Sequence, residues 1–266
     1  MKKYLLLALS AVMALLSTSC FEHTATIRLE KDGSGTITEE TLLGDQASAM
    51  LAQLPAQGGK DPLSMLSDKA SAEKSAAKMG EGVTVEKAEK IDGAQKGGRI
   101  VYHFTDINKV KYSFGKSLSS AAQSMNPAGA EEKESDDPIS FTYAGGKLTL
   151  KMPNPKLDPA KAKEKAEAAA AIGPEQLGAM KGAFKDMSMG LKLVVAPGID
   201  KSTASHVEGN TVTLMEMKFA KLVEDPDKFL KFVKSQPETP AEMQKALEGV
   251  EGVKLETKEE VTVDVK

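Results

Sequence analysis

The chain has little of what nucleic-acid and sugar-binding sites use. It has no tryptophan, and aromatic residues make up 5% of its 266 residues, which argues against sites that stack bases or sugars on aromatic rings. Arg28 and Arg99 are its only arginines, and the formal net charge is -3. Proteins that bind nucleic acid generally present basic patches and bidentate arginines. The composition therefore predicts that nucleic acid is not a partner.

Histidine is also scarce, and the motifs of common enzymes are missing. His23, His103 and His206 stand at spacings that do not suit a zinc site. We expect them to be surface residues, with a general base as the alternative. The sequence contains no G-x-S-x-G elbow, phosphate-binding loop or dinucleotide fingerprint. It therefore predicts a protein that is not an enzyme, with no catalytic, cofactor-binding or metal-binding residues.

A single cysteine, Cys20, excludes a disulfide within the chain. It follows a segment with two lysines, an apolar run over 5–16 and the small residues 17–19. That order is typical of a secretory signal peptide. The apolar run has about a dozen residues, whereas a membrane-spanning helix needs about 20. We therefore expect residues 1–19 to be a signal peptide that is removed ahead of Cys20.

The residues around Cys20 offer a reason for this lone thiol. Residues 15–20, Leu-Leu-Ser-Thr-Ser-Cys, resemble the lipobox of bacterial lipoproteins, although Ser17 stands where leucine is common. The resemblance implies that Cys20 is the lipid attachment site and carries acyl chains such as palmitate. An ordinary signal peptidase would also suit Ser17 and Ser19, so a soluble exported protein is an alternative, as is an uncleaved anchor. Phe21 replaces the aspartate that retains some lipoproteins in the inner membrane, which favours the outer membrane, facing the periplasm.

The predicted fold begins close to this cysteine. Alternating apolar and polar residues predict a first strand from Thr24. The gap between Cys20 and Thr24 then spans on the order of 10–15 Å at most. We therefore expect the folded domain to lie directly against the membrane, its partner through the N-terminal lipid.

Strand patterns and turn signals recur along the chain. Thr24–Glu30 and Thr36–Thr38 flank an Asp-Gly turn, and the strands beside Gly145-Gly146 form another predicted hairpin. Helical periodicity lies between the hairpins. An aspartate before a proline marks three helix starts, which are Asp61-Pro62, Asp158-Pro159 and Asp225-Pro226. These patterns predict an α+β fold of antiparallel β-hairpins and sheets, with helices packed on one face.

The order of elements is similar in two halves of the chain. A hairpin, a helical segment and a second strand pair occur in a first α+β unit, 20–127, and again in a second, 139–266. The segment between them, 128–138, is acidic and rich in turn residues, as expected of a linker or loop. The similar segments 81–87 and 251–257 add to the pattern. It suggests a duplicated ββαββ unit; the alternative is that turns from helix to strand simply favour glycine before a β-branched residue.

The first turn has a partial likeness to a calcium-binding loop. Asp32, Ser34 and Gly35 match three positions of an EF-hand, but Thr41 stands where the bidentate glutamate is required. The flanks also alternate as strands. We interpret the turn as a hairpin turn without a metal, and the acidic run 131–137 as a solvated loop.

A signal peptide, a cysteine and a strand–Asp-Gly-Ser-Gly–strand opening together resemble uncharacterised bacterial lipoproteins. The resemblance implies no activity. We expect a non-enzymatic, membrane-anchored envelope lipoprotein with a binding or structural role and an envelope protein as partner. One alternative is a carrier of a small apolar or lipid ligand, and a second is an unrecognised enzyme. The carrier would use a cavity lined by methionines, drawn from positions 50, 65, 79, 180, 187, 189, 215 and 217.

Overall fold

Two β-sheets and several short helices make up the described part of the chain. The computed structural model describes residues 21–53, 61–125, 137–153, 173–235 and 240–266. The strands are mostly antiparallel, and the helices lie between them in sequence. The α+β class predicted from the sequence is confirmed.

The larger sheet has eight strands. They are β1 (Phe21–Leu29), β2 (Gly35–Leu43), β3 (Val83–Asp92), β4 (Lys96–Phe104), β8 (Met187–Val195), β10 (Val207–Glu208), β11 (Thr211–Lys218) and β12 (Val253–Leu255). Their order in space is β10-β11-β8-β1-β2-β4-β3, with β12 paired to β11. All the pairs are antiparallel except β1 with β8. β1 is an interior strand, paired along all nine residues with β2 on one side and β8 on the other.

The smaller sheet has five antiparallel strands. They are β5 (Lys111–Tyr112), β6 (Ile139–Ala144), β7 (Lys147–Lys151), β9 (Ile199–Ser202) and β13 (Glu260–Val265), in the order β5-β6-β7-β13-β9. This sheet meets the larger one near the β1–β2 turn. There the Tyr143 hydroxyl donates to the Lys31 carbonyl at 3.1 Å.

Seven α-helices and two 3₁₀ helices are described. The α-helices are α1 (Asp45–Gln53), α2 (Lys69–Met79), α3 (Phe114–Met125), α4 (Pro174–Lys185), α5 (Ala220–Glu224), α6 (Pro226–Ser235) and α7 (Pro240–Ala246). The 3₁₀ helices are Pro62–Ser67 and Ile107–Lys109. Sequence periodicity did not predict α3, which proves important for the site.

Helix starts follow the aspartate–proline signals where they are described. The Asp61 side chain accepts a hydrogen bond from the Leu63 N–H at 3.2 Å, and Asp225 accepts one from the Lys228 N–H at 3.1 Å. The helical segment that Asp61-Pro62 predicts is divided, because Asp68 ends the first 3₁₀ helix and caps α2. Asp158-Pro159 and the helix predicted after it lie outside the described residues.

The predicted first hairpin is confirmed as β1–β2. The Asp32 carboxylate accepts hydrogen bonds from the N–H and hydroxyl of Ser34, at 3.0 and 2.6 Å. Gly33 has φ 89°, a conformation that glycine adopts without steric strain. The Asp32 carboxylate thus closes the turn through hydrogen bonds within the loop.

The first strand is longer than predicted. It begins at Phe21 instead of Thr24, so no residue separates it from Cys20. Phe21 is held by its neighbours, because it pairs with Leu43 and Met187 and its N–H donates to the Asp186 carbonyl at 3.2 Å. The alternation of apolar and polar residues did not predict this extension, because the added residues include Glu22 and His23. These adjacent polar residues pair with strand residues far away in sequence.

The two units predicted from the sequence share one sheet. β1 comes from the first unit and β8 from the second, yet they pair in parallel from Phe21↔Met187 to Leu29↔Val195. The strand orders of the two sheets differ, and the suggested duplication of a ββαββ unit stays a prediction. Most of the predicted linker at 128–138 lies outside the described residues, and the domain boundaries there stay a prediction.

The core lies on one face of the larger sheet. In β1 the side chains of Ala25, Ile27 and Leu29 are buried on that face, whereas Thr24, Thr26 and Arg28 alternate with them on the other. Two large clusters cover the buried face. The main core joins it to α2 and the smaller sheet. The methionine–phenylalanine cluster, built on Met217, Phe219, Leu222, Val223, Phe229 and Val233, joins β8 and β11 to α4, α5 and α6.

Candidate functional site

A third, small apolar cluster surrounds the start of β1. We call it the leucine cluster; it consists of Leu43, Leu51, Leu63 and Leu66, with Phe21 packed against it. Phe21, Leu43, Lys96 and Met187 are paired across neighbouring strands, so they lie level with one another at one end of the sheet. We call this the Phe21 end. It is the end at which the chain arrives from Cys20.

Next to the leucine cluster lies a group of buried polar side chains centred on His23. The imidazole is 1% exposed. Its Nδ1 shares a hydrogen bond with Thr41 Oγ1 at 2.9 Å, and its Nε2 shares one with Ser117 Oγ at 3.0 Å. β1 and β2 place His23 and Thr41 opposite each other, while α3 brings Ser117 from elsewhere in the chain. The Phe114 ring also lies 5.3 Å from the imidazole, between ring centroids.

Glu39 extends this polar group. Its Oε1 accepts a hydrogen bond from the Tyr112 hydroxyl at 2.9 Å, and its Oε2 accepts one from the Tyr102 hydroxyl at 3.4 Å. Burial raises the pKa of Glu39, and the surrounding hydroxyls of Ser117, Tyr112 and Tyr102 partly offset that rise. We call His23, Glu39, Thr41, Tyr102, Tyr112 and Ser117 the buried polar cluster.

The protonation pattern within the buried polar cluster follows from its hydrogen bonds. Burial lowers the pKa of His23 from 6.5 to about 4, so the ring is neutral at pH 7. A neutral imidazole carries one proton, so one ring nitrogen donates its hydrogen bond and the other accepts, with Thr41 and Ser117 as the two partners. The tyrosine hydroxyls are held in the neutral form as well, because burial raises the pKa of both Tyr102 and Tyr112.

A cavity adjoins the buried polar cluster. It has about 60 Å³ of space open to water-sized molecules. Side chains from β1, β2, β4, the first 3₁₀ helix, α2 and α3 surround it. They include Thr41, Ser71, Ser75, Tyr102, Ser117 and Ser120, all of which carry hydroxyls. Gly98 is also in the wall, where a Cβ would come within 2.3 Å of the Leu66 carbonyl oxygen. The cavity is therefore small, and its wall combines these hydroxyls with apolar side chains such as Met65, Leu66 and Ile100.

The arrangement differs from a hydrolytic triad. In a triad the carboxylate bonds the histidine nitrogen that faces away from the nucleophile. Here Thr41 occupies that position, and the Glu39 carboxyl accepts hydrogen bonds from Tyr102 and Tyr112 instead. Within the described ranges, no three His, Cys, Asp or Glu residues lie close enough to hold a metal ion. What the cluster provides is a carboxyl and a neutral imidazole in a sheltered, hydroxyl-rich space.

The structure places the residues singled out in the sequence in different environments. Cys20 lies outside the described residues. The expectation that His23 is a surface residue is wrong, because hydrogen bonds with Thr41 and Ser117 compensate for its burial. His103 and His206 are partly exposed and do not join it. Five of the methionines named above, 180, 187, 189, 215 and 217, belong to the methionine–phenylalanine cluster, and another of them, Met65, lines the cavity.

Sequence reasoning also missed Glu39, Thr41 and Ser117. One signal was present in β2, where Gly35, Ile37, Glu39, Thr41 and Leu43 occupy alternate positions and are all buried. A glutamate on the same face as Ile37 and Leu43 points to a buried partner. Ser117 had no comparable signal.

No helix among the described residues is long and apolar enough to span a membrane.

Comparisons with known proteins add little. No family model matches the chain, and no curated protein matches it. The folded domain of Mycobacterium tuberculosis LppM, solved by NMR, is 13% identical, with a TM-score of 0.31 over 75% of this chain and 82% of that one. An M1 zinc metallopeptidase from Deinococcus radiodurans, a variant bound to a peptide substrate, is 8% identical, with a TM-score of 0.21 over 74% of this chain and 39% of that one. Likeness at this level carries no argument about fold or function.

Proposed function

We propose that the chain is a non-enzymatic bacterial lipoprotein, anchored by lipid on Cys20, that holds its α+β domain directly against a membrane. The observation that carries the proposal is the start of β1 at Phe21, the residue after the cysteine. The location that fits best is the outer membrane, facing the periplasm. The role is binding or structural, with an envelope protein as partner.

The start of the fold matches the proposed cleavage site. Removal of 1–19 leaves every described strand and helix intact, since all of them lie after Cys20. It also removes Lys2 and Lys3 and takes the formal charge from -3 to -5. The mature chain would begin one residue ahead of an interior strand.

The anchor would also be rigidly coupled to the domain. Consecutive Cα atoms are about 3.8 Å apart, so the acyl chains on Cys20 would attach at the Phe21 end without a flexible linker. Phe21 is fixed there by pairing with Leu43 and Met187. The Phe21 end would therefore face the headgroups, and the smaller sheet, at the other end of β1, would point away from them.

The buried polar cluster favours a binding role over a catalytic one. Ser117 and His23 are both buried, and the histidine lacks the carboxylate that would orient it as a base. A nucleophile in that position would be sheltered from all but very small substrates.

The test is the variant Cys20→Ser, followed by metabolic labelling with an alkyne analogue of palmitate and fractionation of the cells. Wild type should carry the label and sediment with membranes. Cys20→Ser should lose the label and be found either as the longer precursor or in the soluble fraction. Ser19→Ala, which keeps a small residue before the cysteine, is the matched control and should behave as wild type. If Cys20→Ser is cut and fractionates like wild type, lipid anchoring is wrong.

A further inference from the structure

The bond that a signal peptidase would cut lies next to an interior strand. It joins Ser19 to Cys20, and β1 begins at the following residue, Phe21. β1 is paired over its whole length with β2 on one side and β8 on the other. Backbone N–H and C=O groups of a paired strand are directed at its neighbours, so an interior strand has both of its edges occupied. The residues directly after the cut bond are therefore held within the larger sheet.

Side chains also hold the start of β1 in place. Phe21 packs against the leucine cluster, and its N–H donates to the Asp186 carbonyl at 3.2 Å. The imidazole of His23 is 1% exposed and shares hydrogen bonds with Thr41 at 2.9 Å and Ser117 at 3.0 Å. Pulling this segment out of the sheet would break those hydrogen bonds, and buried polar groups that lose a partner are costly. The first three residues of β1 therefore resist fraying.

A peptidase needs the residues beside the cut bond to be free. Cleavage of a folded protein at a structured position proceeds through a locally opened state. Extended peptides are commonly held by main-chain hydrogen bonds of the kind that a strand forms with its neighbour. Phe21 and Glu22 cannot form such bonds with an enzyme while both are paired with β2 and β8. Binding of the peptidase and pairing of β1 therefore compete for the same backbone.

We propose that the bond before Cys20 is hydrolysed while β1 is still unpaired, so that removal of the signal peptide precedes closure of the larger sheet. Water adds across this bond, leaving a carboxyl group on Ser19 and an α-amino group on Cys20. The inference rests on the proposed lipid anchor and adds an order of events to it. The order matters to the fold, because β1 joins two parts of the described sheet, β2-β4-β3 on one side and β8, β11, β10 and β12 on the other.

The test is the rate at which purified lipoprotein signal peptidase cuts the precursor. The precursor is accumulated in cells whose peptidase is blocked and is purified in a non-ionic detergent, and hydrogen exchange reports whether β1 is paired. The comparison is a variant with about 20 Gly/Ser residues between Cys20 and Phe21. Precursor with a protected β1 should be cut at least about tenfold more slowly than this variant, and a β1 that becomes protected only after cleavage supports the same order. Equally fast cutting of both, with β1 protected throughout, would overturn the proposal.

Two variants within β1 test whether strand pairing is the cause. Ile27 is fully buried, so Ile27→Asp places a carboxylate in the core and should keep β1 unpaired while the residues around the cut bond stay unchanged. It should be cut as fast as the variant with the insert. Thr26→Asp, one position away on the opposite, half-exposed face, is the matched control and should be cut as slowly as wild type. Slow cutting of Ile27→Asp with an unprotected β1 would refute the assignment.

The same experiment distinguishes failure of the order from failure of the anchor. The mass of each precursor shows whether Cys20 carries lipid, and the mass of each product shows where the chain was cut. If the variant with the insert carries no lipid and is not cut before Cys20, the proposed anchor is wrong. If that variant is lipidated and cut before Cys20, and wild type with a paired β1 is cut equally fast, the anchor stands and the order of events is wrong.

Discussion

His23 and Ser117 share a hydrogen bond of 3.0 Å although 94 positions separate them in the sequence. This contact ties α3 to the first strand of the larger sheet. Together with Thr41 it satisfies both ring nitrogens of a histidine that solvent hardly reaches. The buried polar cluster therefore gives the fold a measurable dependence on pH.

Stability should fall as the pH drops from 6.5 to 4. The pKa of His23 is lowered from 6.5 to about 4 by burial, so over this interval the unfolded chain binds a proton that the folded chain does not. The contribution of neutral His23 to the free energy of unfolding is complete above pH 6.5 and is lost as the pH falls to 4. The full effect is about 3 kcal/mol at most. Urea unfolding of wild type and His23→Gln between pH 7 and 4 measures it.

The difference in the free energy of unfolding between wild type and His23→Gln separates the effect of His23 from that of Glu39. The raised pKa of Glu39 makes stability rise, not fall, as the pH drops. His23→Gln should lose this part of the pH dependence, while His103→Gln, which removes a partly exposed histidine, should retain it. Parallel curves for wild type and His23→Gln would contradict the neutral, buried imidazole.

Tyr112→Phe should destabilise the fold by about 1–3 kcal/mol, because it removes a donor from the buried Glu39 carboxyl and leaves that group underbonded. Tyr143→Phe is the matched control. It removes an exposed hydrogen bond, to the Lys31 carbonyl, and should change the free energy of unfolding by less than about 0.5 kcal/mol. Chemical denaturation at pH 7 compares them, and similar losses would show that Tyr112 has no special role.

Gly98→Ala should destabilise the protein by about 1–3 kcal/mol, the usual range for overpacking. A Cβ at this position would lie 2.3 Å from the Leu66 carbonyl oxygen, where the first 3₁₀ helix crosses β4. Gly178 in α4 has no atom within 4 Å of its Cβ position. Gly178→Ala should therefore be neutral or stabilise by up to about 1 kcal/mol. Thermal unfolding gives both values, and a tolerated Gly98→Ala would mean that the 3₁₀ helix packs less closely.

Orientation on the membrane can be read with tryptophan, since the chain has none. Lys96 is exposed and level with Phe21, whereas Val207 is exposed and aligned, through Val212 and Leu193, with Ile27. The step from Phe21 to Ile27 is about 20 Å along the strand. Lipids with a nitroxide near the headgroup should quench Lys96→Trp strongly and Val207→Trp weakly.

A flexible insert supplies the control for this experiment. About 20 Gly/Ser residues between Cys20 and Phe21 extend the r.m.s. reach to about 25 Å, so quenching of Lys96→Trp should fall. The insert is placed before Phe21 because Glu22 is paired with both neighbouring strands, so an insert after Glu22 would interrupt β1. Equal quenching with and without the insert would show that the domain is not held against the bilayer.

Local features of the fold were predictable from sequence, and distant ones were not. The β1–β2 hairpin and the helix start at Asp225 follow from turn and capping residues within a few positions. The parallel pairing of Phe21 with Met187 and the burial of His23 depend on partners far along the chain. Cys20 was identified as a candidate because its signal is linear. The buried polar cluster was not, because its meaning arises only when α3 is placed over β1.

The most direct test of the account is the intact mass of the mature protein purified from its native membrane, followed by fragmentation of its N-terminal peptide. The account predicts a chain that begins at Cys20, with a mass increased by diacylglycerol and, where the organism adds it, a further acyl chain, all assigned to that residue. An unmodified thiol on Cys20, or a chain that still contains residues 1–19, would contradict it.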